Sequence, residues 1–350
     1  MTLDDIDTPA VLVDLDIAER NIAAYQAYCD EHGIALRPHI KTHKLPFLAR
    51  QQVAAGARGI TCQKLSEAEV MIAEGGIDDV LITYPILGPA KVARLRALAE
   101  RVTLASVADS IAVIDGLDAG FEGATPLRVL VECDTGAERC GVTSPEKAVE
   151  LARRIDAAPN LTFGGIMTYP PKRDTAGTQE KLSAIVTAMT DAGLPPETVS
   201  SGGSPDMWRA HEAPVATEYR VGTYVYNDRS LVEAGTCAID DCALTVLVTV
   251  VSVPSADRAV IDAGSKVLTS DLLGLDGHGH VLGRPDLRIA GLSEEHGVLR
   301  ADTIGLKVGD RLRIIPNHCC VVSNMMDEVQ LHRSGTPLVP APVVARGKVV

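Results

Sequence analysis

Hydrophobic and polar positions between residues 35 and 235 fall into a repeating pair of patterns. A short apolar run is followed by a stretch whose apolar residues have helical spacing. The pairs read "ALRPHIKTH" then "LPFLARQQVAAGA", "GITCQKL" then "SEAEVMIAEGG", and "DVLITYPI" then "GPAKVARLRALAER". They continue with "VTLASVAD" then "SIAVIDGLDAG", and "LRVLVECDTG" then "SPEKAVELARRIDAAP". After these come "LTFGGIMTYP" then "TQEKLSAIVTAMTDAGL", "TVSSGGS" then "MWRAHE", and a last strand-like segment, "TEYRVGTYVYND". Ser66 and Ser144 stand where helix caps are expected. Strand–helix alternation implies a parallel sheet, and eight strands in about 200 residues fit a closed (β/α)8 TIM barrel. The competing architecture is an open doubly wound sheet, but its glycine-rich dinucleotide fingerprint is absent after the first strand.

Past residue 235 the texture changes. "ALTVLVTVVSVP", "RAVIDAGS", "EEHGVLRA", "DRLRIIPNHCCVVSN" and "DEVQLHR" read as strands separated by turns, with little helical periodicity. They predict a second, mostly antiparallel β domain. "PAVLVDL" at 9–15 is one more strand ahead of the barrel, expected to pair with that domain. The domain expectation is a barrel over residues 16–235, with residues 1–15 and 236–350 forming the β domain.

Composition narrows the function classes. Hydrophobic residues are 46% of the chain and aromatics only 3%, so the core is built from Ala, Val, Leu and Ile. The formal net charge of −13 argues against nucleic acid or an anionic membrane as partner, since both need a basic face. The longest apolar β-like run, residues 243–254, is too short to span a bilayer. "MTLDDIDTPA" lacks the basic and apolar regions of a signal peptide, and the eight cysteines are scattered. Reduced thiols and a cytoplasmic location are therefore expected.

In a barrel, functional residues gather where strands end. Lys41 ends the first strand within "RPHIKTHK", a segment that also holds His39, His43 and Lys44. Gln63 ends the second, Asp134 and Arg139 lie on the rim after the fifth, and Tyr169 ends the sixth. Ser201, Gly202, Gly203 and Ser204 follow the seventh, where small residues let backbone N–H groups approach an anion such as phosphate. A lysine and a phosphate cradle on one barrel mouth suggest pyridoxal 5'-phosphate held as a Schiff base, with Arg139 available to its phenolate. His318 and Cys320, two apart in a strand-like run, would project from one face and can hold a divalent ion, typically zinc. Two ligands leave such a site open to water or substrate.

These segments together resemble the metal-activated pyridoxal enzymes grouped around D-threonine aldolase and eukaryotic-type D-serine dehydratase. The resemblance runs from "DTPAVLVDL" through "RPHIKTHK", "CQK", "DTGAERCG", "GTYVYND", "VIDAGSK" and "SEEHGVL" to "PNHCC", nearly the whole chain. It implies an alanine-racemase-like barrel plus a β domain, paired as a homodimer, acting on a small D-amino acid. By position Lys41, not Lys44, matches the Schiff-base lysine, and His318 and Cys320 match the metal pair, for zinc or manganese. Gln63, Arg139, Tyr169, Ser201–Ser204 and Tyr226 match cofactor contacts, while His296 lies in a family segment without an assigned role. The implied activity is retro-aldol cleavage of a D-3-hydroxy-amino acid to glycine and an aldehyde. The alternative is dehydration of D-serine or 3-hydroxyaspartate to keto acid and ammonia, with racemisation or a non-catalytic cofactor-binding role behind both. Family aldolases often carry Asp where this chain has Cys320, whereas dehydratases carry Cys.

Overall fold

The structure, a computed structural model, describes residues 2–350. The chain forms two compact units, one of residues 24–41, 46–222 and 348–350, the other of residues 1–23, 42–45 and 223–347.

The first unit is the parallel barrel. After β1 (Ala10–Asp14), which belongs to the other unit, its strands are β2 (Ala35–Leu36), β3 (Ile60–Cys62), β4 (Asp79–Ile82), β5 (Thr103–Ala108), β6 (Leu127–Glu132), β7 (Leu161–Met167), β8 (Thr198–Ser201) and β9 (Glu218–Tyr219). Hydrogen bonding runs β2-β9-β8-β7-β6-β5-β4-β3, every pair parallel. The residues after β2 complete the ring: His39 bridges to Thr61, and the Thr61 N–H donates to Pro38 O at 2.8 Å. Leu81, Val107, Leu130 and Met167, one from each of β4 to β7, pack as one buried cluster.

The crossovers show why the alternation was legible. Helix Pro145–Asp156 buries Ala148, Leu151, Ala152 and Ile155, a single stripe at helical spacing. Ser144 caps it, its hydroxyl accepting the Lys147 N–H at 3.3 Å. Ser66 is not a cap. Helix Leu65–Ala73 starts one residue earlier, with Lys64 at the cap position, and Ser66 Oγ accepts the Val350 N–H instead. The expected last helix, "MWRAHE", is 3-10 over Ser204–Glu212, and the last strand is only two residues before the chain turns 3-10 again at Thr223–Val225.

The second unit is a mostly antiparallel sheet of β10 (Leu244–Ser255), β11 (Arg258–Ile261), β12 (His280–Val281), β13 (Arg288–Leu292), β14 (Gly297–Arg300), β15 (Arg311–Ile315) and β16 (Glu328–Arg333). β1 lies inside it, antiparallel to β10 with Ala10 opposite Leu247, and parallel to β16 with Leu12 opposite Gln330. One expectation fails: "CCVVSN" is a helix, Cys319–Met325, not a strand. Its valines favour a strand locally, but the Cys319 N–H is received by Asp228 Oδ2 at 3.1 Å, a helix start capped from another segment. Among the described residues no helix is long and apolar enough to cross a membrane.

His332 on β16 is 1% exposed, and neither ring nitrogen has a hydrogen-bond partner, Asp14 Oδ2 standing 3.6 Å away. Burial holds its pKa below the usual 6.5, with Asp14 opposing. The unfolded chain therefore takes up a proton near 6.5 that the folded chain refuses. Stability is full above that pH and falls as pH drops towards the folded value, by at most about 1.4 kcal/mol per pH unit. Urea unfolding at about pH 7.5 and about pH 5.5 should show this loss in the native protein and a smaller one in His332→Gln. Equal losses would rule out His332 as the source.

Candidate functional site

The barrel contributes one set of residues. A one-turn 3-10 segment, Ile40–Thr42, follows β2 and carries Lys41, which is half-buried. The Lys41 N–H reaches His39 Nδ1 at 3.4 Å, and His39 Nε2 faces Gln63 Oε1 at 3.1 Å. With Nδ1 accepting, the proton sits on Nε2 and is donated to Gln63, whose own amide donates to Thr83 O at 3.0 Å. Gln63 is thus locked beside the turn that bears Lys41.

The loop after β6 is organised by Asp134. Its Oδ1 accepts the N–H groups of Gly136, Ala137 and Glu138 at 2.7, 2.9 and 3.3 Å. The same loop brings the Arg139 guanidinium over the Tyr169 ring, 4.5 Å from its centroid. Past β8, Gly202 has φ of +140°, and a Cβ there would lie 2.5 Å from Arg220 N. A Cβ on Gly203 would sit 3.4 Å from the Tyr169 ring, and the Tyr219 hydroxyl donates to Gly203 O at 3.1 Å. Ser204 Oγ accepts the Gly222 N–H at 3.4 Å. Side chains would fill this cradle, so small residues suit a bound anion there.

Beneath these residues is a buried charge chain that sequence reasoning missed. Arg220 donates from Nε to Ser200 Oγ at 2.9 Å and from Nη2 to Thr168 O. Ser200 Oγ donates to Glu218 Oε1 at 2.6 Å, and Arg37 Nε donates to Glu218 Oε2 at 2.8 Å. Burial raises the Glu218 pKa, yet Arg37, Ser200 and Arg220 more than offset it and hold the carboxyl below its usual range. Burial lowers Arg220 to about 10 and raises Glu132, at the end of β6, to about 7. Asp109 adds to the Glu132 shift, Arg139 and Arg220 oppose it, and its Oε2 has no partner. The only trace in the sequence was a lone Glu and a lone Arg inside apolar runs.

The second unit holds a group of its own. His318 is the residue before helix Cys319–Met325 and Cys320 lies in its first turn, so the pair meets at a helix start rather than along a strand. The two side chains shift each other's titration, as neighbours at that helix start do. Burial pulls the His318 pKa down, but Cys320, Asp228 and Asp271 outweigh it and push it up to about 9. Cys319, His318 and Thr42 hold the Cys320 thiol well below its usual range against burial. Asp271 Oδ2 faces His318 Nδ1 at 3.1 Å, leaving Nε2 as the nitrogen for an ion. Thr42 Oγ1 and Thr223 Oγ1 flank Cys320 Sγ at 3.2 and 3.6 Å. An imidazole, a thiolate and a carboxylate behind the imidazole fit a zinc-type donor set with open positions. Among the described residues no group of three or more His, Cys, Asp or Glu converges.

Other side chains are placed as follows. Tyr226 is fully buried near Cys319 and Cys320, its hydroxyl has no partner, and burial raises its pKa far above the usual value. Lys44 is buried with φ of +56°, and its Nζ donates to Ala345 O at 3.2 Å. His296 is exposed in the turn between β13 and β14. Trp208 packs edge-on to Tyr25 and Tyr28, 5.3 Å from each, and Asp228 serves as a cap.

Comparison with known proteins agrees with this layout. Residues 13–230 match the alanine racemase N-terminal domain and residues 243–332 a putative serine dehydratase domain. The chain is 37% identical to 3-hydroxy-D-aspartate aldolase of Paracoccus denitrificans, covering 98% of this chain and 93% of that protein. It is 35% identical to D-threo-3-hydroxyaspartate dehydratase of a Delftia species, over 91% and 92% of the two chains. The crystal structure of D-threonine aldolase from Filomicrobium marinum superposes with a TM-score of 0.93 at 34% identity, over 100% and 98% of the chains. Structures of the dehydratase include a His-to-Ala variant and a metal-free Cys-to-Ala variant, the substituted residues two apart in that chain. The chain belongs to the alanine-racemase-fold family of pyridoxal phosphate lyases that contains D-threonine aldolase, 3-hydroxy-D-aspartate aldolase and D-threo-3-hydroxyaspartate dehydratase.

Proposed function

We propose that this protein is a pyridoxal phosphate- and divalent-metal-dependent lyase of D-3-hydroxy-amino acids, working as a cytoplasmic homodimer and cleaving its substrate as an aldolase. The placement of His318 and Cys320 at one helix start, with Asp271 behind the imidazole, carries the metal part of this reading. Its spacing equals that of the two residues substituted in the dehydratase variants, one of them crystallised without metal. The aldolase part rests on 37% identity to an aldolase over nearly the whole chain and on the fold match to another.

Bound pyridoxal phosphate supplies an electron sink for the pair left at Cα, and a bound divalent ion makes a β-hydroxyl more acidic. Lys41 Nζ would carry the cofactor's aldehyde and exchange a proton at Cα. Ser201, Gly202, Gly203 and Ser204 would hold the phosphate, and Gln63, Arg139 and Tyr169 would hold the ring, with Tyr226 as a further contact. His318 and Cys320 would hold the ion, zinc or manganese.

The same residues serve two outcomes. If the proton leaves the β-oxygen, the Cα–Cβ bond breaks, the electron pair stays on Cα, and a returned proton gives glycine and an aldehyde. If Lys41 removes the Cα proton and hydroxide leaves Cβ, water then releases ammonia and a keto acid. Cys320 favours this second, dehydratase reading, because it stands where family aldolases often carry Asp.

Protein loaded with pyridoxal phosphate and zinc or manganese should release glycine and an aldehyde from D-threonine or D-3-hydroxyaspartate. Keto acid and ammonia would transfer the assignment to the dehydratase, and no turnover of D-threonine, D-serine or D-3-hydroxyaspartate would overturn the lyase reading. Lys41→Ala should keep the native circular dichroism but lose all cofactor absorbance on gel filtration, whereas Lys44→Ala should retain it. The Thr42 hydroxyl orients the Cys320 sulfur, so Thr42→Val should weaken zinc binding about 10- to 100-fold in competition with a chromophoric chelator. Unchanged affinity would remove Thr42 from the metal site.

A further inference from the structure

Pro316 and Asn317 separate β15 from His318, and Asn317 is 1% exposed, too buried to leave its amide without partners. Its Nδ2 donates to Asp271 O at 3.1 Å and to Gly277 O at 2.9 Å, and its Oδ1 accepts from Arg229 Nη1 at 3.2 Å. The same Arg229 nitrogen donates to Asp276 O at 2.7 Å, with Gly279 O and Gly277 O at 3.3 and 3.4 Å. Arg229 can only donate, so the Asn317 oxygen must face it and the amide nitrogen must face the two carbonyls. Backbone bonds dock the two partners. The Arg229 N–H donates to Pro316 O at 3.1 Å and the Ser230 N–H to Asn317 O at 3.3 Å.

The segment gripped in this way has a strained backbone and an exposed tip. Thr269 has φ of +65° and Leu273 of +50°, left-handed values that residues with side chains seldom adopt. Leu272 and Leu273 are exposed, so little apolar burial steadies the tip. Inside the arm the Leu275 N–H donates to Leu272 O at 2.8 Å, and on its outer side Arg288 Nε donates to the Asp276 carboxylate at 2.7 Å. Asn317 ties residues 271 and 277, the two ends of the arm, to the residue next to His318. Asp271 thus spans two neighbours in the chain: its carbonyl accepts from Asn317, and its Oδ2 faces His318 Nδ1 at 3.1 Å.

Resting on the reading that His318 and Cys320 hold a divalent ion, we propose that Asn317 and Arg229 are positioning residues for that ion. They clamp the 271–277 arm so that the Asp271 carboxylate keeps the His318 ring turned with Nδ1 as donor and Nε2 free for the metal. A shift of the arm by about 1 Å takes Oδ2 out of hydrogen-bonding reach of Nδ1 and lets the imidazole rotate or change tautomer.

Zinc affinity, measured on pyridoxal phosphate-loaded protein by competition with a chromophoric chelator, tests the clamp without any turnover. Asn317→Asp keeps the shape and the oxygen facing Arg229 but loses both amide donors, and should bind zinc at least about fivefold more weakly. Asp271→Ala should cost about 10- to 100-fold. In the Asp271→Ala background Asn317→Asp should add less than about twofold, because its effect passes through Asp271; general loosening would instead add in full. Arg229→Met taken through the same cycle gives the same pattern and serves where Asn317→Asp does not fold. Additive losses, or single variants within about twofold of the native affinity, overturn the clamp while leaving the metal reading intact. A native affinity no better than that of His318→Ala overturns the metal reading itself, and the clamp with it.

Discussion

Residues 35–42 carry a double constraint. They must hydrogen-bond β9 on one side and β3 on the other to complete the barrel, and they must end in a turn that presents Lys41. His39 does both at once. Its N–H donates to Val221 O at 2.7 Å, its bridge to Thr61 closes the ring, and its imidazole orders the turn. Because Nδ1 accepts from Lys41, Nε2 must donate, and Gln63 can face it in only one sense: carbonyl towards His39, amide towards Thr83. A single tautomer thus orients two of the expected cofactor contacts.

The barrel interior answers a different problem, that of keeping ions away from bulk solvent. A buried carboxylate is tolerated only if its acceptors are filled. Glu218 meets this with Arg37 on one oxygen and Ser200 on the other, and Ser200 can serve both neighbours because one hydroxyl donates while it accepts from Arg220. The sense of every bond in that chain is fixed by chemistry alone. Glu132 is the contrast: it has an orphan oxygen, Asp109 close by and its carboxyl raised to about 7. The charge chain is fully satisfied, whereas this carboxyl, at the end of β6, keeps an oxygen without a partner.

What could be read from the chain alone follows from this division. Strand–helix alternation is a local property of apolar spacing, and all eight barrel strands stood where it put them, down to β9 with only two residues. The Ser/Gly loop was equally legible, because Gly202 must have a positive φ and no side chain. His318 and Cys320 were singled out by spacing but placed on the wrong element. Cys319–Met325 is held as a helix by Asp228, some ninety residues away, and no local pattern contains that bond. Arg220 and Glu132 were missed for the same reason. One charged letter within an apolar run does not say which way it points or what meets it.

Lys41 and Thr42 show how much a single turn can encode. The chain passes from one compact unit to the other between these two residues. They lie on a 3-10 segment, where neighbouring side chains diverge by about a third of a turn. Thr42 spends its hydroxyl on Cys320 Sγ, while the Lys41 backbone is held by His39. Lys44 has a left-handed backbone, and its Nζ donates to Ala345 O. Residues of this one segment thus take different partners: His39 faces Gln63, Thr42 faces Cys320 Sγ, and Lys44 reaches Ala345 O.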